Sequence, residues 1–394
     1  MHARSVGIDA LSFYCPRYAL DLKVLAEARS VDPQKYAAGL GQDCMAVPPP
    51  DEDVVNMGAS AALPLVQEGD RDAIALLLFA TESGVDQSKA AALHLHGLLD
   101  LPHGCRAVEM KQACYSATAA LQLACAWLAL HPDRTALIVA ADIARYELRS
   151  PGEPTQGAGA VAMRLAVEPR LLALDPEAGL FADDVMDFWR PNYRSEALVD
   201  GQYSTRVYLQ SLLHCWAQYR EQSGRGLADF DRFCYHLPFT RMAEKAHGRL
   251  ARACGAPAPD AETLARLVGD GLRYNRQTGN TYAASLYEGL TSLLDTSDAD
   301  LAGCRIGLFS YGSGCTGEFF SGVVQPDYRV ALRAEAHRRL LEDRTALEYQ
   351  QYEDIFQLAV PTDGGEHAFA QYRTGPFRLA GIGQHKRIYE RVDE

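Results

Sequence analysis

The chain lacks any clearly apolar run long enough to cross a bilayer. The longest, Ala73 to Ala80, falls far short of the roughly 20 residues that a spanning helix needs. Met1 to Asp9 also lacks the apolar core of a signal peptide. Positive charge is in deficit: 38 Lys and Arg face 51 Asp and Glu, a formal net charge of -13. Such a chain has no overall attraction to nucleic acid or anionic membranes, so an anionic ligand must be held by a local cationic patch. The ten cysteines include no Cys-x-x-Cys pair and no zinc-type Cys/His spacing, so no metal site is expected. These absences point to a cytoplasmic protein with free thiols, most of them small core residues.

Apolar residues make up 48% of the 394, enough for a large core and two or three domain-sized units. Short apolar, β-branched runs alternate with helical patterns, which predicts an α/β architecture. Strands are expected at Val6–Leu11, Ala73–Phe79, Cys105–Met110, Ala136–Ala140, Ala158–Arg164, Arg232–Cys234 and Arg305–Phe309. Their continuous apolar character suggests burial on both faces. Helices are expected at Leu20–Ala28, Val54–Val66, Ser116–Leu130, Ser204–Glu221, Thr240–Ala253 and Ala261–Leu267. Strand-rich stretches lie before about residue 165 and after about 230, with a more aromatic, irregular segment between them. The charged tail after about 326 reads as helical at first, and Gly381–His385 as a final turn and strand.

Several residues stand where chemistry is commonly placed. Cys114 follows a strand and opens a helix, where the helix dipole favours thiolate and backbone amides can hold an oxyanion; the alternative is a buried structural cysteine. Glu82 follows an apolar strand, and in a dry pocket it would be a strong base; otherwise it is a solvated turn residue. His236 could serve as acid, base or donor, or as a satisfied structural histidine. Asn280 offers an amide donor or simply makes a turn. Gly312 and Ser313 lie in Tyr-Gly-Ser-Gly-Cys, whose glycines allow close backbone approach and whose amides could face an oxyanion. Arg241 and Lys245, four apart on one helical face, could meet phosphates or be an ordinary solvated pair. Gly157 and Gly159 precede a strand, so close packing explains them better than dinucleotide binding.

Taken together, the segments Thr81-Glu82-Ser83, Lys111-Gln-Ala-Cys114-Tyr-Ser, Asp187-Phe-Trp-Arg-Pro, His236-Leu-Pro-Phe, Gly279-Asn280 and Ser310-Tyr-Gly-Ser-Gly resemble the hydroxymethylglutaryl-CoA synthase family of the thiolase superfamily, in its short bacterial form. The resemblance implies a thiolase fold, with duplicated halves in α-β-α-β-α layers. Residues 1–165 would form the half that carries the nucleophilic cysteine. Residues 166–394 would form the half with the His/Asn site residues and family-specific insertions. It implies Cys114 as the acetylated nucleophile, Glu82 as general acid/base, and His236 as the residue that polarises the second substrate. Asn280 and Tyr146 would be polar active-site residues, and Ser313 would line the acyl pocket. Arg241 and Lys245 would sit near CoA phosphates, although Glu244 is acidic where relatives are often basic.

The implied reaction condenses acetyl-CoA, acetoacetyl-CoA and water in the mevalonate pathway, with no cofactor beyond the CoA thioesters, in a homodimer. Three alternatives stay open. One is a polyketide β-branching synthase fed by acyl carrier proteins, another a Cys–His hydrolase, and the last a catalytically silent acyl-binding subunit.

Overall fold

The computed structural model describes residues 4–372 and 375–392; Met1–Ala3, at the start of the N-terminal stretch weighed above, lie outside them. Fifteen elements position the site, in two series. The first runs β1 (Val6–Tyr14), α1 (Val54–Glu68), β2 (Ile74–Ala80), α2 (Ala91–Leu98), β3 (Arg106–Met110), α3 (Ser116–Leu130), β4 (Thr135–Ala144) and β5 (Gly157–Val167). The second runs β6 (Leu172–Ala182), α4 (Gly201–Ser223), β7 (Arg232–Tyr235), α5 (Met242–Ala253), α6 (Ser285–Thr296), β8 (Arg305–Gly312) and β9 (Thr316–Val324).

The nine strands hydrogen-bond in the order β7-β8-β9-β6-β1-β5-β4-β2-β3. Within it, β2-β4-β5-β1 and β7-β8-β9-β6 repeat one pattern, with the first pair parallel and the others antiparallel. The two sets join only where Gly7 and Ile8 of β1 meet Ala173 and Leu172 of β6. A helix precedes the matching strands in each series, so the chain is a structural duplication, as the resemblance implied.

Three apolar layers follow from the side chains. Met57, Ala61 and Leu65 of α1 pack on one outer face with Phe79 and Val139. Leu212, Trp216 and Tyr219 of α4 pack on the other with Phe233 and Phe319. Between the sheets, Ala117, Leu121 and Leu128 of α3 meet Leu286, Leu290 and Leu293 of α6. By length and composition alone, residues 113–130 could cross a membrane, but this helix is part of the central layer and buries its apolar stripe there. Asp53 caps α1 by accepting from the Val55 amide at 2.9 Å, as an acidic N-cap should.

Three expectations need correction. The segment between 165 and 230 is not irregular: it holds the whole of β6 and the 23-residue α4. Leu20 and Asp21 belong to a short strand, Tyr18–Asp21, with the helix starting at Leu22. β3 is not buried on both faces; it is the sheet's edge, and Arg106 and Val108 are exposed. The tail does begin with a helix, Ala334–Glu342, and closes on a hairpin, Phe377–Gly383 with Lys386–Arg391, around Gln384 and His385.

Candidate active site

The site lies where the first turns of α3 and α6 face each other between the sheets. Thr118 and Tyr287, one from each helix, share a hydrogen bond of 2.7 Å. Cys114 stands just before α3. Ala113 ahead of it has φ 42°, a left-handed conformation that costs a non-glycine residue about 1–3 kcal/mol. Amides of Tyr115 and Ser116 close the bend by donating to Gln112 and Ala113 carbonyls at 3.1 and 3.3 Å.

Gly312, at the end of β8, makes room for this bend. A Cβ there would lie 2.5 Å from the Gln112 carbonyl oxygen and 2.7 Å from the Tyr115 amide nitrogen. The loop after it is tied on both sides. Gln112 Nε2 donates to the Ser313 carbonyl at 3.2 Å. The fully buried Asp187 accepts from the Gly314 amide at 2.9 Å and from the Tyr311 hydroxyl at 2.7 Å. Glycines meet again across the site: a Cβ on Gly157 would be 2.4 Å from the Thr278 carbonyl oxygen, and one on Gly279 would be 1.9 Å from that of Gln156. Close packing is therefore the role of Gly157, as its sequence context suggested.

The Cys114 thiol donates to Glu82 Oε1 at 3.1 Å. Burial raises the Glu82 carboxyl above the usual range and the Asp142 charge adds to it, while the Cys114 thiol and Arg190 pull the other way. The expected thiolate is corrected here. Cys114 reaches the cavity surface, but burial pushes its thiol well above an ordinary cysteine, and the charges of Glu82, Asp142 and Asp187 push further. Three carboxylates outweigh one helix terminus, whose effect is worth well under one full charge. The resting group is a thiol with a base beside it, the arrangement of an activated nucleophile.

Asp142, fully buried in β4, escaped the sequence reading. One of its oxygens accepts from the Thr81 hydroxyl at 2.8 Å and from the Glu82 amide at 2.9 Å. The other accepts from the Ala283 amide at 3.0 Å, which ties the Glu82 turn to the turn before α6. Its signal was present: one acid inside the apolar run Ala136–Ala144. Arg190, which donates to the Glu82 carbonyl, was quoted only as part of a motif.

Cys114, Tyr146, His236, Asn280 and Ser313 all line one cavity of about 460 Å³, walled also by Phe188, Tyr208 and Tyr282. Glu82 faces a neighbouring, more polar cavity of about 630 Å³ with Lys111 and Arg190. His236 is 4% exposed, and burial pushes its imidazole down to about 3, so it is neutral at physiological pH. Asn280 Oδ1 accepts from the Tyr282 amide at 2.9 Å, which leaves its NH₂ as the donor available to a substrate carbonyl.

Arg241 and Lys245 are not in the cavity wall. They lie next to wall residues: Arg241 donates its amide to the Leu40 carbonyl, and Leu40, Phe239 and Met242 line the cavity. The Arg241 guanidinium pairs with Glu244 at 3.1 Å, and Lys245 Nζ lies 4.7 Å from the Phe239 ring centre.

Comparison with known proteins gives the family. The chain matches the hydroxymethylglutaryl-coenzyme A synthase N-terminal family over residues 2–169, and the corresponding C-terminal family over 173–255 and 258–366. It is 45% identical to hydroxymethylglutaryl-CoA synthase of Enterococcus faecalis over 91% of this chain and 93% of that one. It is 34% identical to the polyketide biosynthesis 3-hydroxy-3-methylglutaryl-ACP synthase PksG of Bacillus subtilis, over 90% and 88%. A crystal structure of an HMG-CoA synthase complexed with CoA superposes with a TM-score of 0.94 at 41% identity, covering 98% of this chain and all of that one. The chain is a member of the hydroxymethylglutaryl-CoA synthase family of condensing acyltransferases, built on the thiolase fold.

Proposed function

We propose that the protein condenses acetyl-CoA with acetoacetyl-CoA and water to give 3-hydroxy-3-methylglutaryl-CoA and free CoA, through an acetyl-Cys114 intermediate. The observation that carries this reading is the Cys114–Glu82 hydrogen bond beside a cavity walled by His236 and Asn280.

Glu82 takes the thiol proton as sulfur attacks the acetyl thioester, and CoA leaves as its thiol. The Cys114 and Ser313 amides, which take no part in the bonds that close the bend and tie the loop, donate to the resulting oxyanion, each such donor being worth roughly 3 kcal/mol. Glu82 then removes a proton from the acetyl methyl group. The carbon attacks the ketone of acetoacetyl-CoA, which neutral His236 and the Asn280 amide polarise by hydrogen bonding, and the alkoxide that forms takes up the proton held by Glu82 to become the 3-hydroxyl. Water finally hydrolyses the Cys114 thioester, returning the thiol and releasing the carboxylate. Glu82→Gln tests the assignment: it should keep the acyl cavity but stop condensation.

CoA, and not an acyl carrier protein, is the proposed carrier. The higher identity to the E. faecalis synthase than to PksG supports this. Rate comparison of acetyl-CoA with acetyl-carrier protein as donor decides it. We further propose a cytoplasmic homodimer with no nucleic-acid or membrane partner, and a join between the halves near residue 165. The exposed edge strand β3 supports pairing of two copies, and the repeated strand order supports the join. Sedimentation of the purified protein tests the dimer.

A further inference from the structure

The first turn of α6 carries a group that the mechanism does not use. Glu288 is fully buried, one helical turn beyond the Asn280 bend. Its two oxygens are divided between that bend's two shoulders. Oε1 accepts from the Thr278 hydroxyl at 2.5 Å, and Oε2 from the Thr281 hydroxyl at 2.7 Å. Thr278 and Thr281 are themselves fully buried, and they bracket Gly279-Asn280. Burial pushes the Glu288 carboxyl up to about 7, against the pull of these two donors and the nearby Arg344 charge. A leucine would fill such an apolar location without that penalty.

We infer that Glu288 is a positioning residue for the second half of the reaction, clamping Thr278 and Thr281 so that the bend presents Asn280 to the acceptor ketone.

Two features of the bend show what the clamp works against. Tyr282 holds φ at 44°, the left-handed region that a bulky residue avoids. Its hydroxyl is buried and faces that of Tyr146, another wall residue of the acyl cavity. A left-handed backbone at a buried, bulky residue needs surroundings that fix it. Asp142 fixes the bend from the first half, through the Ala283 amide. Glu288 fixes it from the second. The same helical turn holds the histidine loop, where Ser285 Oγ accepts from the Leu237 amide at 2.9 Å. Cys114 has its own supports in Gln112, Ala113 and Gly312, and Asp142 holds the Glu82 turn independently through Thr81, so the clamp bears first on the acceptor side.

The inference rests on the condensation reading, so wild-type acetylation and condensation are measured first; absence of condensation there would count against that reading and not against Glu288. Glu288→Leu removes both acceptors at similar volume. Glu288→Gln keeps one acceptor and can donate to the other threonine. Thr281→Val deletes one bond from the far side. Acetylation of Cys114 by acetyl-CoA should stay within about twofold in all three, because its parts are held elsewhere. Condensation should fall roughly tenfold or more in Glu288→Leu, with KM for acetoacetyl-CoA raised and KM for acetyl-CoA unchanged, because sub-ångström misplacement of reacting groups is costly. Glu288→Gln and Thr281→Val should lie between wild type and Leu. If Glu288→Leu does not fold, the other two carry the same split. Acetylation and condensation falling in parallel, or condensation staying at the wild-type rate in folded variants, would overturn the inference.

Discussion

Gly312→Ala offers a test of the claim that the two halves are in contact at the nucleophile. The new Cβ would lie 2.5 Å from the Gln112 carbonyl oxygen, 2.7 Å from Tyr115 Cβ and 2.7 Å from the Tyr115 amide nitrogen. Ordinary contacts of about 3.2 Å to oxygen and about 3.5 Å to carbon require the segments to part by roughly 0.7–0.8 Å. Two of the three obstacles are backbone atoms, so no side-chain rotation relieves them. Overpacking of this kind costs about 1–3 kcal/mol. It also displaces the bend that aims Cys114 at Glu82, and a shift approaching 1 Å can lower the rate by about 10²-fold. We expect acetylation of Cys114 to slow by roughly 10- to 100-fold and the thermal midpoint to fall by several degrees. Gly97→Ala is the control: nothing lies within 4 Å of its added Cβ, on α2, so it should be neutral or stabilising by up to about 1 kcal/mol. Assays are single-turnover acetyl transfer and calorimetry. A Gly312→Ala protein with wild-type acetylation and stability would refute the packing argument.

Further outcomes follow from the same geometry. Glu82→Gln should lower condensation by about 10²–10⁴-fold, the usual worth of a general base, measured in steady state. Because Glu82 must be ionised to act as base and its folded pKa is raised, condensation should rise with pH through that pKa; Asp142→Asn deletes one cause and should move the limb to lower pH. His236, pushed down to about 3, should contribute no limb between pH 5 and 8 in the kcat/KM profile.

Strong local patterns made much of the fold legible. The apolar run Ser116–Leu130 gives α3 with the expected ends, and Asp53 marks the start of α1. β6 was missed within the segment taken as irregular; Asp175, Pro176 and Gly179 are residue types that strands disfavour. The structure absorbs each. Pro176 falls in the irregularity where pairing with β9 skips from Leu174–Gly322 to Ala178–Phe320. Gly179 is needed because a Cβ there would be 1.8 Å from the Cys215 carbonyl oxygen of α4. α6 was missed although Leu286, Tyr287, Leu290, Leu293 and Leu294 keep helical spacing; its polar residues Ser285, Glu288, Thr291 and Ser292 are buried, not solvated.

At the site, Cys114, Glu82 and His236 were legible because each follows an apolar strand, and Asn280 because Gly279 beside it marks a turn. Asp142 was not, since its partners lie 60 and 141 residues away. The same distance defeated the thiolate expectation: the helix terminus is local to Cys114, but the carboxylates that override it come from three other segments.

The central claim is that Cys114 carries the acetyl group. Intact-protein mass spectrometry after exposure to acetyl-CoA, followed by peptide mapping, tests it most directly. The account predicts a gain of one acetyl group, on the peptide containing Cys114, that is discharged when acetoacetyl-CoA is added. No mass gain, or a gain mapped to any other residue, would contradict it.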